Sequence, residues 1–244
     1  MPEGLPPSAA TLGDPTSDAA RRAVRVQMLA TEHWSLLATR SLSWNEAFSR
    51  AGMFLSLLTG AVVALALVAQ ATDFGEGFVL FALLILPVVL FVGLTTYVRL
   101  LEINNEDYVW VRGMNRLRAA YLEIDPEIAP YFITGTTEDA YGIFKTFGST
   151  DEDMTSADWF HGFVTTPATI AFVDAMVAAV LATILIIQLQ MAMAPAALIG
   201  VVTFLLVGVA LGWYGFRHQA MASLTFELAR NQRPDGRESE EQPG

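Results

Sequence analysis

The chain has 244 residues, a formal charge of −11 at neutral pH, 53% hydrophobic residues and a mean hydropathy of +0.44. The apolar excess is gathered into blocks, which excludes an ordinary soluble domain, and the negative charge argues against a nucleic-acid partner. Cysteine is absent, which excludes disulfides, Cys-ligated zinc and thiol catalysis.

In chain order, residues 1–16 hold four prolines and little apolar content, and are expected to be a disordered tail. No basic stretch followed by an apolar core occupies residues 1–20. A cleavable signal peptide is therefore not expected, and the first apolar block would serve as an uncleaved signal-anchor. A cytoplasmic amphipathic helix is expected over residues 17–50, with Ser17 as N-cap and Asp18 in its first turn. Trp34, Leu37, Ser41, Trp44 and Phe48 recur on it at a spacing of three to four, giving one mostly apolar face. That face, with Trp34, Leu37, Trp44 and Phe48 as docking residues, is expected to pack on the protein's own helices or to lie at the membrane interface.

Four blocks pass the length test for a membrane span. Ala51–Ala69, Gly77–Val98 and Pro195–Phe216 carry no charge, and Pro167–Gln190 carries only Asp174. A helix of about 20 apolar residues crosses the hydrocarbon core, and in lipid only a helix satisfies every backbone group within one segment. The links Gln70–Glu76 and Met191–Ala194 hold no Lys or Arg, whereas all 14 basic residues lie before, between or after these two pairs of spans. The positive-inside rule then gives an all-α, multi-pass protein of the cytoplasmic (inner) membrane. Its four spans form two hairpins (51–98 and 167–216), with cytoplasmic helical extensions and both termini inside.

The segment 99–166 is expected to be cytoplasmic. Its helix continues span two past Arg99, with Leu100, Ile103, Val111, Met114, Leu117 and Tyr121 forming a stripe and Gly113 as the weak point, until Pro126 and Pro130 break the pattern. Residues 133–158 read as a loop rich in Gly, Thr, Ser and Asp. Thr165 or Thr166 can cap span three, with Pro167 in its first turn. Arg99 to Thr166 holds 5 basic and 12 acidic residues, which is either a solvated surface or a vestibule that concentrates cations. Beyond span four a helix over 217–230 and a disordered tail over 231–244 are expected.

No catalytic constellation emerges, and an enzyme is not expected. His33, His161 and His218 lack metal-ligand spacing on one helix. The run Asp151–Asp153 lacks the glycine and terminal glutamate of a calcium loop, and no phosphate loop or nucleophile elbow is present. No cofactor or metal is expected.

Asp174 is the exception inside the spans. It lies seven residues into span three, about 10 Å along at 1.5 Å per residue, in the cytoplasmic third of the hydrocarbon layer. Ile170, Ala178, Leu181, Leu185 and Gln188 share its face. Ala171 and Ala175 beside it permit close helix approach, as do Gly208 and Gly212 in span four. Either Asp174 pairs with Arg50, Arg99 or Arg217 or caps a neighbouring backbone, or it faces an aqueous path, or it faces lipid and snorkels or stays protonated.

These features give a homo-oligomeric channel or pore as the leading expectation. Asp174, Ile170, Ala178, Leu181, Leu185 and Gln188 on span three, or span one with its preceding helix, would line the axis, and inorganic cations would be favoured. The alternative is a non-conducting scaffold or regulatory subunit whose cytoplasmic helices bind a soluble partner. In topology alone the arrangement is similar to that of bestrophin-type channels and flagellar-stator-type proteins, and no motif of either family is present.

Overall fold

A computed structural model of the chain describes residues 15–148 and 165–231, with side chains described from 17 to 218. The tail up to residue 14, the tail from 232, His161 and the acidic run at 151–153 lie outside the described residues.

The described chain is all helical. Helix α1 runs from Pro15 to Thr72 and α2 from Glu76 to Ile124. A 3-10 turn (Pro126–Tyr131) and the short helix α3 (Ala140–Thr146) follow, and then α4 (Thr166–Gln188) and α5 (Met193–Asn231). Four of these helices, α1, α2, α4 and α5, are long and apolar enough to cross a membrane.

Three sequence expectations change at this level. Helix and span one are a single 58-residue helix, because nothing between Ser17 and Thr72 breaks the backbone ladder. The helix already includes Pro15, so Ser17 lies inside it and is not its N-cap. The expected loop at 133–158 contains α3, whose start is fixed by Asp139: its carboxylate accepts the backbone N–H of Gly142 at 2.9 Å. Thr165 does cap α4, accepting from the Ala168 N–H at 3.4 Å. The α1–α2 link turns through Asp73 and Phe74 in the left-handed region, with φ of 49° and 56°. Helix α2 passes through Pro87 without ending.

The chain divides into two compact units, and α1 and α2 contribute to both. The first comprises the described residues of Met1–Ser41 and Val109–Thr150. It is organised by Asn115, which is fully buried on α2. The Asn115 amide donates to the Thr137 carbonyl at 2.9 Å, and its oxygen accepts from Arg118 at 2.8 Å and lies 2.8 Å from the Thr146 hydroxyl. Glu138 accepts from Arg116 at 2.6 and 2.7 Å and from Arg112 at 3.1 Å, which holds its carboxyl below the usual range. Gly113 is where α2 approaches α1 closely, since a Cβ there would lie 3.2 Å from Leu36 Cδ1. The His33 ring lies 6.3 Å from that of Tyr121 in a tilted pair, and burial, followed by the Arg118 charge, lowers its pKa.

The second unit comprises the described residues of Leu42–Tyr108 and Asp151–Gly244. Its core joins Ala47, Ala51, Phe54 and Ala61 of α1 to Ala82, Leu86, Val89, Tyr97 and Leu100 of α2, and to Ile170, Ala171 and Val177 of α4. Helix α5 packs along α4, where Gly200 lies against Thr183 and Phe172 meets Phe204 edge to face at 5.4 Å. Helix α2 holds α5 through the Tyr97 hydroxyl, which donates to the Leu211 carbonyl at 2.6 Å beside Gly215, and through Asn105, whose amide lies 2.7 Å from His218 Nδ1.

Candidate functional site

Asp174 is fully buried within its own chain, at 0% exposure. Its carboxylate sits directly over Gly93 of α2, in the space that a Cβ at that position would take. Among the described residues neither carboxylate oxygen has a hydrogen-bond partner. The expected pairing with an arginine is therefore corrected. Arg50 binds Glu46 at 2.8 Å, and Arg99 binds Glu46 at 3.0 and 3.1 Å, Glu102 at 3.1 Å and Glu106 at 3.0 Å. Arg217 stacks over the Trp213 ring at 5.0 Å. Arg50 and Arg99 are paired with glutamates, and Asp174 is left to the helix interface.

The face of span three expected to line a pore is turned inward at its first half. Ile170, Asp174 and Ala178 are buried, as are Ala171 and Ala175 beside them, and Leu181 packs partly against the core. Leu185 and Gln188, toward the other end, are exposed. A helix carrying a polar residue against a glycine gains more from close approach than from facing lipid.

A Cβ on Gly208 or Gly212 would meet nothing within 4 Å among the described residues, and the close-packing glycines of α5 are Gly200 and Gly215. On α1 the Trp34–Phe48 face is likewise not the packed one. Trp34 is 71% and Phe48 61% exposed, Leu37 is exposed, and only Trp44 packs on the core. The inward line runs instead through Ala47, Ala51, Phe54 and Ala61, where small residues let α1 come close.

Away from that core, α1 presents a second face that sequence periodicity did not single out. Asn45, Ser49, Gly52, Ser56, Thr59, Val63, Ala66 and Gln70 are all exposed and recur at alternating spacings of four and three. At about 100° per residue they fall within about 50° of one line. A Cβ on Gly52 or Gly60 would meet nothing within 4 Å. The Ser56 hydroxyl donates to the Gly52 carbonyl and that of Thr59 to the Leu55 carbonyl, each at 2.8 Å. Their hydrogens are thus used inside the helix, and only oxygen lone pairs face outward. The available signal was small and hydroxyl residues at an average spacing of about 3.5 within an uncharged span, which an apolar-face search passes over.

Comparison with protein-family models, with curated proteins and with solved structures finds no match.

Proposed function

We propose that the chain forms a homo-oligomeric ion channel or pore of the inner membrane, with the polar face of α1 lining the symmetry axis. In each subunit α1 pairs with α2 and α4 with α5 as two hairpins, and both chain ends and the 99–166 segment are cytoplasmic. The absence of Lys and Arg from both interhelical links supports that orientation.

The outward face of α1 carries this reading. The interior of the second unit is filled by side chains such as Phe54, Ala82 and Val89, each at 0% exposure, so a conduit has to lie between copies. A row that carries three hydroxyls, two amides and a glycine among its eight positions is costly against lipid and favourable against water or a matching helix. Hydroxyls that present only lone pairs stabilise cations. Asp73 and Glu76 beyond the end of α1 and the net negative charge of residues 99–166 act in the same direction.

Purified protein in liposomes is expected to carry K⁺ or Na⁺ down a gradient, and the Ser56→Leu, Thr59→Leu pair to cut that flux about tenfold by dewetting the path. A homo-oligomeric preparation that carries no flux overturns the reading.

A non-conducting scaffold is the second reading, and one observation favours it. In the first unit Trp34 on α1 and Tyr131, Ile133, Tyr141 and Phe144 around α3 are exposed, a surface suited to a soluble partner. One stoichiometric partner, retained by the full chain and lost on Trp34→Ala with Phe144→Ala, would select it.

A further inference from the structure

We infer that Asp174 is an intramembrane proton-binding site: its carboxyl is held as the neutral acid against Gly93 of α2, and it exchanges its proton only when α2 and α4 part. The inference concerns the α2–α4 contact and holds whether or not the assembled protein conducts.

The geometry selects the ligand. A carboxylate removed from water needs hydrogen-bond donors or a counter-ion, and Asp174 has neither among the described residues. Two hydroxyls of α2 close to Gly93 in sequence are committed elsewhere. Thr96, one turn on from Gly93 and buried, donates to the Val92 carbonyl at 2.7 Å, and Tyr97 donates to the Leu211 carbonyl. Among the described residues, the spans packed around Asp174 bring no second ionisable group other than two phenols. Span three has none, the α1 span has none, and the α2 and α5 spans contribute only the phenols of Tyr97 and Tyr214. The arginines at the span ends are bound to Glu46, Glu102 and Glu106 or stacked on Trp213.

A metal cation would need about six oxygen ligands, and no group of three His, Asp or Glu side chains that could hold one is present among the described residues. A proton needs one oxygen. Gly93 then has a clear role, because only a residue without a side chain lets the acid fold down onto the α2 backbone and stay out of water. Separating α2 from α4 at this point exposes the carboxyl and lets the proton leave as hydronium, which makes the contact sensitive to protonation.

Infrared spectroscopy of the protein in lipid bilayers tests this directly. Subtracting the Asp174→Asn spectrum from the wild-type spectrum at neutral pH is expected to leave the carbonyl stretch of a carboxylic acid and no carboxylate bands. The amide variant keeps the shape of the neutral acid and is expected to fold; Asp174→Ala provides the same subtraction if it does not. In Gly93→Ala, whose added methyl group displaces the carboxyl, the acid band is expected to give way to carboxylate bands at the same pH. Carboxylate bands from Asp174 in the folded wild type at neutral pH overturn the inference.

Discussion

At Gly93 one hydrogen atom is the largest substituent that leaves room for the Asp174 carboxyl. A Cβ added there would overlap Oδ1, so the enclosed carboxyl has to be pushed out of its place. Gly93→Ala is therefore expected to destabilise the second unit by about 1–3 kcal/mol, the usual cost of overpacking, seen as a lowered unfolding temperature in detergent. Gly208→Ala, with open space around it, is expected to leave that temperature unchanged. Glu46 carries the clearest pH dependence. The hydrogen bonds from Arg99 and then Arg50 lower its carboxyl from 4.5 to about 2. The folded form thus binds this proton less readily than the unfolded chain, and the contribution is present above pH 4.5 and lost as pH falls towards about 2. Glu46→Gln is expected to cost about 0.5–1 kcal/mol at neutral pH, as a partly exposed network does. Thermal unfolding of the two proteins should converge on acidification through that window, and an unchanged gap would contradict the assignment.

At the scale of elements, the uncharged runs were sufficient to find the four long apolar helices, because no soluble packing needs so many of them. The cap at Thr165 and the extension of α2 past Arg99 were legible for local reasons, namely a hydroxyl before a proline and the lack of any breaker until Pro126. The rotation of α1 was not legible. Both candidate lines are apolar, so hydrophobic periodicity does not distinguish the one through Ala47, Ala51 and Phe54 from the one through Trp34, Leu37 and Phe48. Nor was α3, since seven residues among Gly and Thr carry a weak periodic signal, and long-range bonds from Asn115 hold its surroundings in place. Those bonds are testable. Asn115→Ala leaves the Thr137 carbonyl and Arg118 short of a partner and is expected to cost about 2 kcal/mol in the first unit. Hydrogen exchange should accelerate across residues 135–146 and stay unchanged in α4. Uniform protection in the variant would show that Asn115 does not anchor this segment.

For the whole molecule, the proposed function depends on what covers the outward face of α1. Two halves of the sequence expectation separate here. The acidic residue inside span three belongs to a helix interface within one chain, whereas the polar row that suits an axis belongs to span one. The native chain has no cysteine, so a single thiol can be placed at any position without removing others. The most direct measurement is cation flux through liposomes containing the Ser56→Cys protein, before and after a membrane-impermeant, positively charged thiol reagent. An axis lined by α1 predicts a flux that the reagent stops, with no such block for Ala61→Cys on the buried side of the same helix. Flux that persists with Ser56→Cys fully modified, or no flux from the assembled protein at all, would contradict it.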